Sequence, residues 1–199
     1  MKRPDRDAGP PRGSTANEPA PVIRRAVAGD ARSIAEISVL GWQAAYRGIL
    51  PDDFLAGLSV DARVHAWRMA LGGDAGLASP AWVAERDGCV VGYTSTGPPR
   101  DGDVPLPSAE VYAVYVRPSA WRAGVGRALL GVAVAEWSSR HTEMMVLWVL
   151  EGNARARRFY EAMGWTPDGS RQQIDLGGIA ATEIRYKTSL RSAIDEAAG

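Results

Sequence analysis

The chain has 199 residues, of which 46% are hydrophobic, and this length predicts one globular domain. Its 23 basic and 23 acidic residues give a formal net charge of +0, which argues against electrostatic binding of nucleic acid or of an anionic membrane. The single cysteine excludes a disulfide framework, and two histidines far apart in the sequence argue against a metal site, so we expect a cytoplasmic protein without a bound metal.

Both ends of the chain are predicted to lie outside the folded domain. Residues 1–21 contain five prolines mixed with charges and lack the apolar core of a secretion signal, so a disordered tail is expected there. The longest apolar run, Ala128 to Ala135, falls well short of the roughly 18 residues that span a bilayer. The predicted organisation is a domain over residues 22–190 and a C-terminal tail over residues 191–199.

The first half of the predicted domain reads as a strand, two or three helices and a hairpin. Residues 22–27 favour a strand, and Asp30 is expected to be the N-cap of the helix that follows. The predicted buried face of this helix consists of Ile34, Ile37, Leu40 and Ala44. After a turn, residues 61–71 favour another helix. Two β-rich runs then flank Asp87-Gly88, a strong hairpin signal.

The second half alternates strands and helices. A loop over residues 98–107 leads to a strand that ends at Val116, before Pro118. A helix to about Arg140 follows, and then come a strand in "MMVLWVL", a helix in "NARARRFYEAMG" and two strands in "RQQIDL" and "TEIRYKT". This order predicts a mixed α/β sheet with helices on both faces.

Two glycines, Gly124 and Gly126, stand at the start of the helix after this strand. The first amides of a helix have no acceptor within the helix, and the helix dipole adds partial positive charge there, so this arrangement is typical of an anion site. A glycine-softened turn packed against the sheet is the alternative. The Walker loop is absent, and a GxGxxG pattern fails at Leu129.

The order of these elements resembles the GNAT superfamily of acetyl-coenzyme A dependent N-acetyltransferases, from about Val22 to Leu190. The resemblance implies an α/β fold with a mixed, mostly antiparallel central sheet flanked by helices on both faces. It also implies that a Q/R-x-x-G-x-G/A signature binds the pyrophosphate of coenzyme A through backbone amides. Here the signature falls on Trp121, Arg122, Ala123, Gly124, Val125 and Gly126. Trp121 departs from the usual Gln or Arg, while Arg122 and Arg127 are expected to add charge near the phosphates.

Asn153 and Tyr160 lie in the helix that follows. From the residues alone, Asn153 is an ordinary N-cap and Tyr160 belongs to an apolar stripe with Ala156, Phe159 and Met163. The resemblance instead implies that Asn153 helps to hold the cofactor arm and that Tyr160 is the general acid toward the departing thiolate. A thiol of pKa about 8.5 and a phenol of pKa about 10 are compatible with that transfer.

Two further parts of the site are implied by the resemblance. Glu110 occupies a slot where some members carry a general base, which would act through water or with a raised pKa; a carboxylate facing solvent at the strand edge is the alternative. On the same strand Val114, Tyr115 and Val116 resemble the segment whose backbone receives the pantetheine arm and the acetyl group.

The acceptor site is expected near "GWQAAYRGILP". The resemblance implies that this segment walls the site and that Trp42, Tyr46 and Arg47 contact the substrate, although Trp42 and Tyr46 would also fit a simple packing role. Asp101 and Asp103 in the loop are weaker candidates for binding a cationic amine.

These residues predict an enzyme that moves the acetyl group of acetyl-CoA directly to a primary amine of a small molecule or peptide. Direct transfer is favoured because no Ser/His or Cys/His pair suggests a covalent intermediate. A non-catalytic acyl-CoA-binding sensor or partner domain is the alternative. Arg155, Arg157 and Arg158 form a small basic face, but the neutral total charge speaks against nucleic acid. The acceptor and a homodimer are left open.

Overall fold

The computed structural model describes residues 20–72 and 79–190. The predicted tails at residues 1–21 and 191–199 lie outside the described residues, apart from residues 20 and 21. Seven strands form one sheet: β1 (Val22–Arg25), β2 (Ala81–Arg86), β3 (Cys89–Gly97), β4 (Ser108–Val116), β5 (Met144–Leu150), β6 (Thr166–Asp175) and β7 (Ala180–Ser189). Their order across the sheet is β1-β2-β3-β4-β5-β7-β6.

The pairing of these strands confirms the predicted fold class. Only β4 and β5 run parallel, and the other neighbours pair antiparallel. The hairpin between β2 and β3 turns at Asp87 and Gly88, whose φ angles of 51° and 73° are those a two-residue hairpin turn with a right-handed twist requires. The final strand pair is also observed, with β6 at the edge of the sheet.

Helices cover both faces of the sheet. They are α1 (Ala31–Ala45), α2 (Asp52–Ala56), α3 (Val60–Leu71), α4 (Val125–Ser139) and α5 (Ala154–Glu161). Neighbouring residues of a strand point to opposite faces. Accordingly, Trp82 and Ala84 of β2 pack with Leu129 of α4, while Val83 packs with Ile34 of α1. The sheet therefore holds α1 and α4 on opposite sides.

Two details of α1 differ from the prediction. Asp30 immediately precedes α1, but its carboxylate makes no capping bond to that helix; it accepts from the Val27 amide at 2.9 Å and from the Arg24 guanidinium at 2.7 and 2.9 Å. Ile34 and Ile37 are buried, whereas Leu40 is 40% exposed and Ala44 is exposed. The buried stripe runs through Ala31, Ala35 and Ser38 instead, which places Leu40 on the far side of the helix.

Arg185 of β7 ties the loop over residues 98–107 to the last two strands. Its side chain, 6% exposed, donates to Asp103 at 2.8 and 2.7 Å, to Asp101 at 3.1 Å and to Asp168 at 2.7 Å. Burial alone raises the pKa of Asp168, but hydrogen bonds from Ser170 and Arg185 outweigh it and hold this pKa below its ordinary value of 3.8. The contribution of Asp168 to stability is therefore present above pH 3.8 and lost as pH falls through the lowered pKa.

We expect Arg185→Met to reduce the free energy of unfolding at pH 7 by about 3 kcal/mol, because removing one partner of a buried ion pair leaves the other uncompensated. The deficit should shrink below pH 3.8, where the carboxylates become protonated. Urea unfolding at several pH values measures both effects. Arg171→Met is the control, since the Arg171–Glu151 pair is exposed and is expected to contribute less than about 1 kcal/mol. An equal deficit at every pH would contradict this account.

Candidate active site between the splayed strands

A cavity opens where β4 and β5 separate. Their parallel ladder joins residues 108–111 to residues 144–147 and stops there, although β4 continues to Val116 and β5 to Leu150. Within the described residues, the divergence leaves a cavity of about 900 Å³ whose walls also include the start of α4, α5, the end of α1 and parts of β6 and β7. Val114, Tyr115 and Val116 line it, as predicted for the strand that meets the acyl arm.

The start of α4 faces this cavity with exposed amides. Gly124 has a φ of 76°, a left-handed conformation that favours glycine, and the first helical hydrogen bond runs from the Ala128 amide to the Gly124 carbonyl at 3.0 Å. The amides of residues 125–127 precede that bond, so they have no acceptor within the helix. At Gly126 an added Cβ would lie 3.4 Å from the ring of Phe159. The geometry suits a close-approaching anion.

Most of the predicted cofactor residues line the cavity. They are Val114, Tyr115, Val116, Trp121, Arg122, Gly124, Val125, Gly126, Arg127, Asn153 and Tyr160. Ala123 does not: it packs instead against the buried cluster that contains Val125 and Leu129.

The Trp121 side chain is held by a hydrogen bond, and a guanidinium stacks on its ring. Its indole Nε1 donates to the Val116 carbonyl at 2.8 Å, and the Arg155 guanidinium lies 3.3 Å from its ring centroid. Both residues line the cavity, and burial lowers the pKa of Arg155. Arg155 is thus separated from Arg157, which donates to the Tyr186 hydroxyl at 3.1 Å. The three arginines of α5 do not act as one basic face.

Tyr160 and Asn153 both reach the cavity from α5. Tyr160 is 8% exposed, burial raises the pKa of its hydroxyl, and no described residue hydrogen-bonds that hydroxyl. Asn153 is the N-cap: its Oδ1 accepts from the Ala156 amide at 3.1 Å, which leaves its side-chain NH₂ group available. Ala156, Phe159 and Met163 are only partly buried, although they pack against the core as predicted.

The end of α1 supplies another wall. Trp42 and Tyr46 line the cavity with their rings 5.0 Å apart in an edge-on contact, and the Tyr46 hydroxyl lies 3.2 Å from that of Tyr115. Arg47 does not line the cavity and is exposed, contrary to its predicted contact with substrate. The reason is local: α1 ends at Ala45 with Tyr46 as its C-cap, so Arg47 is the first residue beyond the helix that positions Trp42 and Tyr46.

Glu110 is 0% exposed and is held by Arg100. One carboxylate oxygen accepts from the Arg100 amide at 2.9 Å, and the other accepts from the Arg100 guanidinium, with Nε at 3.0 Å. The alternative of a solvent-facing carboxylate is therefore wrong. Glu110 is also absent from the cavity lining, and its ion pair with Arg100 joins β4 to the loop over residues 98–107.

The carboxylates of the loop are likewise engaged. Asp101 and Asp103 bind Arg185, and the Asp101 oxygen that does so, Oδ2, also accepts from the Trp148 indole at 2.8 Å, so both carboxylates already balance a cation. Asp101 nevertheless lines the cavity, and a second acidic residue there is Glu183 of β7. Its Oε2 accepts from Gln172 at 2.9 Å, directly across the ladder, and burial raises its pKa above 4.5. Sequence reasoning missed this pair because it appears only with the β6–β7 register.

Residues 42–165, more than half of the chain, match the GNAT family of acetyltransferases. The chain belongs to the GNAT acetyltransferase family. The match begins at Trp42 in the cavity wall and ends at Trp165, so it includes β4, β5, α4 and α5 but not β6 and β7, which complete the wall. The predicted resemblance is confirmed.

Individual proteins agree with this family assignment. The chain is 29% identical over 164 residues to the uncharacterized N-acetyltransferase YuaI of Bacillus subtilis, a match that covers 81% of this chain and 89% of YuaI. The PaiA N-acetyltransferase of Thermoplasma acidophilum, solved with coenzyme A, superposes with a TM-score of 0.65 at 16% identity and covers 85% of this chain and 99% of its own. YncA of Salmonella typhimurium, whose structure holds its cofactor acetyl-CoA, gives 0.64 at 24%, covering 88% and 97%. At these identities the two structures show the GNAT fold alone.

Two other features of this GNAT chain bear on its site. Among residues 20–72 and 79–190, no three His, Cys, Asp or Glu side chains are grouped so as to hold a metal ion. The helices in the same part of the chain are all too short or too polar to cross a membrane.

Proposed function

We propose that this GNAT protein transfers the acetyl group of acetyl-CoA directly to a primary amine of a small molecule or peptide. One observation carries the proposal: the start of α4 and Tyr160 line the same cavity between the splayed strands. The first is an anion-binding group and the second is a proton donor, which are the two groups that a phosphate-bearing thioester donor requires.

The residues present fit coenzyme A. Gly124 and Gly126 leave the backbone at the start of α4 without side chains, and the space around Gly124 is open, which suits the close approach of a phosphate. Arg122, Arg127 and Arg155 supply positive charge at the same end of the cavity. Beyond Val111 the edge of β4 that faces β5 is unpaired, so its backbone is open to the arm of the cofactor.

Bound acetyl-CoA supplies a thioester carbonyl that an amine can attack. The buried phenol of Tyr160 keeps its proton at neutral pH, because burial raises its pKa, and it donates that proton to sulfur as the thiolate forms. The amine must be neutral when it attacks, and at pH 7.4 an α-amine near pKa 8 meets this condition far more often than an ε-amine near pKa 10.4. A water molecule could take the proton that the attacking amine loses and pass one to the Tyr160 phenolate, which would restore the phenol.

The Arg155–Trp121 pair is expected to bind the phosphates together. Arg155→Ala and Trp121→Leu should each raise the Kd of acetyl-CoA about fivefold, the loss of about 1 kcal/mol that a partly exposed charge contributes. Because Trp121 acts by holding Arg155, the double variant should bind no worse than either single variant. Calorimetry measures all three, with Arg158→Ala on the exposed side of α5 as the control. Additive losses would show that the two side chains act separately.

The proposed function is tested by measuring thiol release from acetyl-CoA with a panel of primary amines. We expect release that depends on the amine, together with the corresponding acetylated product by mass spectrometry. A protein that binds acetyl-CoA but releases no thiol with any amine would instead be the non-catalytic sensor. A homodimer stays a prediction.

A further inference from the structure

One part of the cavity wall, formed by the end of α1 and by β6 and β7, combines an apolar surface with an acidic group. We call it the acceptor end, and it comprises Trp42, Tyr46, Gln172, Ile174, Leu176 and Glu183. Trp42, Tyr46, Ile174 and Leu176 belong to one apolar cluster with Leu150, and Leu150 is the register partner of Glu183. Glu183 therefore adjoins an aromatic and aliphatic surface.

Several charged groups near this end are engaged by other residues, and the Arg63 guanidinium lies 5.2 Å from the centroid of the Trp42 ring. Arg100 is bound by Glu110, and Asp101 is bound by Arg185. Among the described residues, Glu183 has only the neutral amide of Gln172 as a hydrogen-bond partner, and this contact uses Oε2. Its other oxygen, Oε1, remains for a ligand. Arg100 also attracts this carboxylate, but its guanidinium is bound by Glu110, and burial still raises the pKa of Glu183. A cation at Oε1 would therefore stabilise the ionised carboxylate.

The cation held by Glu183 is unlike the nitrogen that reacts. Attack on a thioester requires a neutral amine, whereas an ion pair with a carboxylate stabilises the protonated form. A group bound as a cation at Glu183 is therefore a second group of the acceptor. The apolar wall beside it fits a hydrocarbon segment between the two nitrogens.

We infer that the acceptor is a primary amine with a second cationic group, such as an aliphatic diamine, and that Glu183 binds this second group. The inference rests on the proposed function, since it names the acceptor of the same site. Glu183 is thus a specificity-determining residue, with Gln172 positioning its carboxylate.

Three five-carbon amines test this directly, because they differ only in the charge at the far end: 1,5-diaminopentane, pentylamine and 5-aminopentanoate. In the wild-type protein we expect kcat/KM for the diamine to exceed that for pentylamine about tenfold, because one hydrogen bond to a charged group contributes that much. We expect kcat/KM for the diamine to exceed that for 5-aminopentanoate by a larger factor. Glu183→Gln should lower the diamine value about tenfold and leave the pentylamine value unchanged, a pattern that a merely structural role would not produce.

Glu151→Gln is the matched control, because it removes the same charge as Glu183→Gln but at a residue outside the cavity, where Glu151 pairs with Arg171. Equal rates for the diamine and 5-aminopentanoate in the wild-type protein, or no selective effect of Glu183→Gln, would overturn the inference and leave the proposed function standing. If no amine is acetylated, the proposed function fails, and calorimetry of 1,5-diaminopentane with the coenzyme A-loaded protein decides the inference. Binding that Glu183→Gln weakens about tenfold supports it, and absence of binding overturns it.

Discussion

Replacing Tyr160 with phenylalanine is expected to lower kcat by about 10- to 1,000-fold, the range of a lost general acid. The ring of Tyr160 packs against Phe159 and Trp165, and phenylalanine preserves those contacts. Tyr160 lines the cavity, and no described residue hydrogen-bonds its hydroxyl. Affinity for acetyl-CoA should therefore change little while turnover falls.

Steady-state thiol release with saturating acetyl-CoA measures this effect. Tyr93→Phe is the control, because it also removes a tyrosine hydroxyl, but from a buried residue that does not line the cavity. The Tyr93 hydroxyl is bonded to Ser38 at 2.7 Å. The control should keep its kcat. Full activity in the Tyr160 variant would remove the tyrosine from the mechanism.

Gly126→Glu is expected to raise the Kd of acetyl-CoA by about 100-fold or more, because like charges brought together at a binding site cost several kcal/mol. The new carboxylate would stand beside the amides of α4, where phosphate is expected, and its Cβ would press on Phe159. Gly126 is preferred to Gly124 for this substitution, because the φ of 76° at Gly124 would strain any other residue. A change in affinity at Gly124 would then include an effect on folding.

The control for this prediction lies on the same helix. Gly131 of α4 is exposed, and an added Cβ there meets nothing within 4 Å, so Gly131→Glu adds the same charge away from the cavity. Calorimetry should find its affinity unchanged. If Gly126→Glu also binds as well as the wild-type protein, the helix start does not hold the phosphates.

The features that sequence reasoning predicted are those with local causes. Asp87 and Gly88 accept positive φ, so the hairpin follows from two adjacent residues. The α4 start follows in the same way from Gly124, and Asn153 caps α5 through a bond to a residue three positions on. Each of these features depends on a few neighbours in the chain, which is why a single sequence is sufficient.

The features that it missed depend on pairs far apart in the chain. A solvent-facing carboxylate was one prediction for Glu110, but Arg100 binds it. Asp101 was predicted as a weaker candidate for binding an amine, but Arg185 binds it. Glu183 and Gln172 meet only because β6 and β7 pair in one register. Trp121 occupies the slot of a phosphate-binding side chain, and its role as a platform for Arg155 depends on α5 lying beside it.

The most direct test of direct transfer follows an isotope-labelled acetyl group from acetyl-CoA by mass spectrometry in a single turnover. We predict that every thiol released is matched by one labelled N-acetylated amine and that the mass of the protein chain never increases. Label that stays on coenzyme A in the presence of every amine, or that appears on the protein before it reaches the amine, would contradict the account.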